Sequence, residues 1–290
     1  MLNRYFGSLL ATGTLLLLAT TWVEAQAQPQ KDGQPILAPK GFDKARTGIE
    51  HGKMETIEYD SKTVGAKRKM VVYTPPGYAK DTKYPVFYLL HGLNGNETNW
   101  SKGGAAGNIL DNLYADKKLT PMIVVMPNGM VQIAGQPGGG KGKGGDQIGN
   151  FEKELINDVM PTAEGRFPII KDAAHRALGG LSMGGGQSLL IGTKHLDKFA
   201  YIGGFSSAYL QNKANFITNP NEVNKLKVLY VGCGDSPKET LYNSNKAFHA
   251  ALEKSKVKHV WNVYPEGEHN MTVWKNDLYV FSQMLFKDQK

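Results

Sequence analysis

Runs of consecutive apolar residues recur along the chain, and segments with helical spacing separate them. "YPVFYLLHG" (84–92) and "PMIVVMPNG" (121–129) lack the alternation of a half-exposed strand, so they predict strands buried on both faces, and "KLKVLYVGCG" (225–234) predicts another strand. Further strands are predicted at "HRALGGLS" (175–182), "FAYIGGFSS" (199–207) and "HVWNVYPEG" (259–267). "METIEYD" (54–60) and "KRKMVVYTP" (67–75) read as two neighbouring strands ahead of a Pro75-Pro76-Gly77 turn. Helices are predicted over 107–119, the first half of 150–167, 183–195, 238–255 and 272–286. Strands that alternate with helices imply an α/β domain, a mostly parallel central sheet with helices on both faces. No repeat or second break interrupts residues 51–290, which are expected to form one catalytic domain.

The first fifty residues follow a different pattern. Arg4 precedes the apolar run "LLATGTLLLLATTWV", and the small-residue site Ala25-Gln26-Ala27 follows it, the layout of a signal peptide over residues 1–27. The run is shorter than the ~20 residues a membrane span needs. The expectation is therefore a secreted or periplasmic protein with no membrane attachment after cleavage. Residues 28–50, polar and proline-bearing, read as a linker or N-terminal arm. A single cysteine, Cys233, allows no intrachain disulfide. The net charge of +8 comes from scattered lysines, without the basic stripe and interleaved aromatics of a nucleic-acid binder. No nucleic-acid partner is expected.

Two glycine-rich stretches remain. In "GQPGGGKGKGGDQ" (135–147), Gly142 stands where a P-loop needs serine or threonine, and no strand runs directly into the dinucleotide-like spacing. That stretch reads as a surface loop. In the second, Gly180-Leu181-Ser182-Met183-Gly184 fits G-x-S-x-G between a predicted strand and a predicted helix. A serine on that tight turn is exposed for nucleophilic attack, and glycines two positions either side leave room for it.

A serine hydroxyl needs a base to take its proton and a carboxylate to orient that base. In this architecture they follow in the order serine, acid, histidine. His269, in the loop after the last strand, is the expected base. Asp235, directly after "KVLYVGCG", is the expected acid; Asp197 follows the elbow helix at its wrong end, while Glu266, Glu268 and Asp277 stay open as alternatives. The oxyanion would be held by the backbone N–H groups of Met183 and Leu93, the latter in the loop after an early strand. His91, at that strand's end, is expected to shape the loop and to contact substrate. Trp274 is a second expected substrate contact, although it also fits the apolar face of the last helix. Cys233 is expected to be a buried structural thiol.

With these residues placed, the chain resembles the esterase D-like α/β-hydrolases, and more narrowly carbohydrate esterase family 1, the feruloyl and acetylxylan esterases. The likeness is carried by "YLLHGLNGNETNW", "HRALGGLSMGGGQSL", "LDKFAYIGGFS", "LYVGCGDS" and "PEGEHNMTVWKNDLYVFSQMLF", in that order across residues 55–286. The resemblance places nucleophile, acid and base on Ser182, Asp235 and His269, and the oxyanion donors on Leu93 and Met183. It implies hydrolysis of feruloyl or related hydroxycinnamoyl esters on xylan or arabinoxylan, or of small hydroxycinnamate esters, without metal or cofactor. The alternatives are an acetylxylan esterase or acyltransferase on the same scaffold, or a non-catalytic polysaccharide-binding protein.

Overall fold

The structure, a computed structural model, describes residue 1 and residues 34–132, 147–211, 217 and 219–287. The expected signal peptide beyond its first residue, positions 28–33 of the arm and residues 135–146 of the glycine loop lie outside them.

The apolar runs become the strands of one sheet among the described residues. They are β1 (Lys53–Ser61), β2 (Ala66–Thr74), β3 (Val86–Leu90), β4 (Ile123–Pro127), β5 (Arg176–Leu181), β6 (Tyr201–Phe205), β7 (Val228–Gly234) and β8 (Val260–Tyr264). Their order is β1-β2-β4-β3-β5-β6-β7-β8. The pairings β1–β2 and β2–β4 are antiparallel, and the others are parallel. This follows from the residue pattern. β1 alternates, with Ile57, Tyr59 and Ser61 buried between exposed neighbours, as an edge strand can. β3, β4 and β5 are buried at every position because helices cover both of their faces.

The helices are α1 (Asn99–Lys102), α2 (Ala106–Ala115), α3 (Gln147–Glu154), α4 (Met160–Arg166), α5 (Met183–Lys194), α6 (Pro220–Val223), α7 (Tyr242–Lys254) and α8 (Met271–Ser282). A π-helical turn, Leu155–Val159, joins α3 to α4, so the segment expected to be helical only in its first half is helical nearly throughout. On one face of the sheet, Phe151, Leu155, Leu189 and Phe248 close a core. Trp100, Ile109, Leu278 and Phe281 close the other. Each such side chain contributes about 1.5–3 kcal/mol on burial, so the two layers together set the sheet's position.

The described part of the arm is packed onto this domain. Ile36 and Ala38 are tied to Asn262 and Asn276 by bonds of 2.8 and 2.6 Å from their amides. The Phe42 ring meets Tyr279 edge-on at 5.3 Å. Asn112 donates to the Phe42 and Lys44 carbonyls. Among the described residues no helix is long and apolar enough to cross a membrane.

Candidate active site

Ser182 sits between the end of β5 and the start of α5 with φ 51° and ψ −111°, a conformation that costs a non-glycine residue energy. Neighbouring backbone holds it there. Its N–H donates to the Phe205 carbonyl at 2.8 Å, and its carbonyl accepts from Gly186 at 3.1 Å and Ala208 at 2.8 Å. The flanking glycines answer to space: a Cβ on Gly180 would lie 2.5 Å from the Leu90 carbonyl, and one on Gly184 2.5 Å from the His91 carbonyl. The elbow forms only because both positions lack side chains.

His269 lies in the loop between β8 and α8. Its Nε2 is 3.1 Å from Ser182 Oγ, and its Nδ1 is 2.9 Å from Glu239 Oε1. A carboxylate oxygen only accepts, so Nδ1 carries the proton and the Nε2 lone pair is free for the serine hydroxyl. The carboxylate in this relay is not Asp235. Asp235 is exposed, and its Oδ1 accepts the Glu266 N–H at 2.7 Å.

The path of the chain explains the difference. After β7 the backbone stays beside the β8 turn, with Asp235 N–H bonded to the Tyr264 carbonyl and Ser236 N–H to that of Gly267. It then folds back on itself through the bond from Glu239 N–H to the Ser236 carbonyl. Helix α7 starts at Tyr242, so Glu239 belongs to the turn and not to the helix that its spacing predicts. The turn carries the Glu239 carboxylate, which is fully buried, under the imidazole. A buried charge needs partners. Ser206 Oγ–H donates to Oε2 at 2.8 Å, and Leu241 N–H donates to Oε1 at 3.1 Å. Of the open alternatives, Glu268 is engaged by Lys238 at 2.7 Å.

On the other side of Ser182, Met183 is the first residue of α5, where a helix N–H has no carbonyl one turn earlier to bond. Gly92 packs against the serine, since a Cβ built there would lie 3.3 Å from Ser182 Cβ. Leu93 follows it and lines the cleft in front of the hydroxyl. His91 does not line it. Its side chain is buried, with Nδ1 2.7 Å from the Gly92 carbonyl and Nε2 accepting from Gly129 N–H at 2.9 Å. Both ring nitrogens are therefore spent within the fold, and the expected substrate contact at His91 is not met.

The cleft encloses about 390 Å³. Leu93, Leu181, Met271 and Trp274 give it apolar walls, and Asn94 and Asn99 add amides. Trp274 meets the His269 ring edge-on at 4.9 Å, so it does lie at the site. Its indole nitrogen is buried and has no partner among the described residues, which leaves carbon as the surface it offers a ligand. Cys233 is buried behind this site, and burial pushes its thiol far above the usual range, which suits an inert side chain.

Fold and site together define an α/β-hydrolase organised around a serine at the elbow between β5 and α5. Residues 61–284 match the model of the Esterase family, described as "Putative esterase", and the chain belongs to that family. It is 35% identical over 291 residues to the endo-1,4-beta-xylanase/feruloyl esterase of Xylanibacter ruminicola. That match covers 98% of this chain but only 36% of the longer relative. Among solved structures it is similar to the CE1 ferulic acid esterase of Anaeromyces mucronatus in complex with ferulic acid. The two share 26% identity over 89% of this chain and 99% of that one, with a TM-score of 0.77. A feruloyl esterase module from Clostridium thermocellum complexed with sinapinate, 22% identical with a TM-score of 0.73, shares the fold over 89% of this chain and 95% of that one. The resemblance read from the motifs is borne out at the level of family and fold.

Proposed function

We propose that this chain is a secreted serine esterase that removes feruloyl or related hydroxycinnamoyl groups from plant cell-wall xylan or arabinoxylan through an acyl-enzyme. The observation that carries the reading is the relay Ser182 Oγ, His269 Nε2, His269 Nδ1, Glu239, with separations of 3.1 and 2.9 Å. His269 takes the Ser182 proton as Oγ attacks the ester carbonyl, and the Leu93 and Met183 N–H groups receive the oxyanion. Collapse of the tetrahedral intermediate breaks the bond to the alcohol, which leaves with the proton from Nε2. Water then gives a proton to Nε2 and attacks the acyl carbonyl; the acid departs as Ser182 regains its hydrogen. The Glu239 carboxylate holds the neutral imidazole in the required tautomer and stabilises the imidazolium formed at each proton transfer.

The substrate class draws support from the feruloyl and ferulic acid esterases named above and from the cleft. Its apolar walls and its volume of about 390 Å³ suit an aromatic acyl group. Ser182→Ala is expected to abolish turnover of p-nitrophenyl acetate and methyl ferulate and to prevent labelling by a fluorophosphonate; unchanged turnover sinks the mechanism. Faster release of acetate from acetylated xylan than of ferulate from methyl ferulate would replace the acyl specificity. Sequencing the N-terminus of exported protein checks cleavage after Ala27.

A further inference from the structure

We propose that His91 is a positioning residue of the oxyanion site, its imidazole fixing the plane of the Gly92–Leu93 peptide and so the direction of the Leu93 N–H. The inference rests on the esterase reading above, in which that N–H receives the developing negative charge.

The tautomer of His91 follows from its partners. The Gly92 carbonyl, 2.7 Å from Nδ1, can only accept, so Nδ1 carries the hydrogen. The Gly129 N–H, 2.9 Å from Nε2, can only donate, so Nε2 carries the lone pair. The ring is neutral, and burial further disfavours its cationic form. Its contact with Gly92 acts on the next residue, because the Gly92 carbonyl and the Leu93 N–H belong to one planar unit. No described peptide bond is cis, so the two groups point in opposite directions. A donor that pins the oxygen on one side aims the N–H at the other. Gly95 N–H pins the same oxygen at 3.1 Å. The ring reaches it only because position 95 has no side chain: a Cβ there would lie 2.7 Å from Nδ1.

The ring is itself braced. Gln187 on α5 donates to the Gly129 carbonyl at 3.0 Å. Arg68 holds the carbonyls on either side of it, Asn128 at 2.5 Å and Met130 at 3.1 Å. The helix that carries Met183 at its head therefore also anchors, through Gln187, Gly129 and His91, the peptide that carries the Leu93 N–H. Both oxyanion donors share one frame, the kind of arrangement that avoids reorganisation as charge develops.

Two substitutions separate this role from simple packing. In His91→Asn the amide N–H replaces Nδ1–H while Gly129 loses its acceptor. In His91→Gln the longer side chain reaches Gly129 with its oxygen and leaves the Gly92 carbonyl without the His91 donor. His91→Asn is expected to keep kcat within about fivefold, while His91→Gln loses roughly tenfold to a hundredfold in kcat, with KM within about twofold. Affinity for phenylboronic acid, which forms a tetrahedral adduct on the serine, should fall in proportion in His91→Gln. Unchanged kcat and boronate affinity in His91→Gln overturn the proposal, as does an equal kcat loss in both variants. Ser182→Ala is assayed alongside: turnover that persists there removes the esterase reading itself, whereas its loss with intact His91→Gln removes only the role of His91.

Discussion

Ser206 Oγ–H donates to Glu239 Oε2 at 2.8 Å, and this bond ties the end of β6 to the carboxylate that faces His269. Both residues are buried, and Ser206 adopts φ 43°, a left-handed backbone that few serines occupy. Ser206→Ala leaves one carboxylate oxygen without its donor where water cannot replace it. We expect a stability loss of about 1–3 kcal/mol. Loss of a single support for the relay should also lower kcat by roughly tenfold with little change in KM. Urea denaturation and steady-state kinetics on methyl ferulate measure both; wild-type values in each would show that the bond is immaterial.

Exchanging the two carboxylates of the β7–α7 turn for amides should have opposite outcomes. Glu239→Gln removes the negative charge opposite the His269 imidazolium and puts an N–H donor where one accepting oxygen stood, and kcat should fall by roughly 10³- to 10⁴-fold. Asp235→Asn disturbs only a backbone bond on an exposed turn and should stay within about threefold of the parent. If the larger loss follows Asp235→Asn, the relay assignment is reversed.

Asp277, fully buried in α8 and bonded by the Tyr230 hydroxyl at 2.6 Å, makes stability depend on pH. Burial holds its carboxyl protonated well above the ordinary value of 3.8. In the unfolded chain the same group ionises near pH 4, so above that pH the folded state binds the extra proton. Stability must then fall as pH rises from about 4 toward the folded pKa, by up to ~1.4 kcal/mol per unit for one group. Asp277→Asn has no proton to lose and should flatten the dependence between pH 4.5 and 6.5 in urea titrations. An unaltered slope would assign the dependence to another group.

The arm contributes to the domain it was expected merely to precede. Phe42→Ala removes the contact with Tyr279 and should cost roughly 2 kcal/mol, below the range for a fully buried phenylalanine. Deleting residues 34–46 removes in addition the bonds to Asn262 and Asn276 and should lower the melting temperature further. Equal melting temperatures with and without the segment would make it a passive linker.

The residues that local pattern governs were legible in the sequence. Ser182 could be found because its turn needs glycines at 180 and 184 and a strand and helix on either side, all within ten residues. His269 could be found because a loop after the last strand has few other places to put a histidine. Glu239 could not. Its position depends on Asp235 and Ser236 bonding to the β8 turn, residues about thirty positions away, before the chain folds back. Helical spacing from 238 onward hid the turn, and an aspartate directly after the strand offered a simpler answer. The docking of the arm was not legible for a similar reason: its polar composition gives no sign that Asn262 and Asn276 receive its backbone.

The stretch Phe205 to Ala208 supplies no reacting atom, yet it touches both ends of the relay. Phe205 and Ala208 bind the backbone of Ser182, and Ser206 binds Glu239. Ser207 is clasped through both its N–H and carbonyl by Asn245 of α7. Four consecutive residues thus act as a ruler whose length sets the span from hydroxyl to carboxylate. A one-residue insertion or deletion there would silence the enzyme with every reactive side chain still in place, so tolerance to such changes should be lower here than anywhere on the cleft's rim.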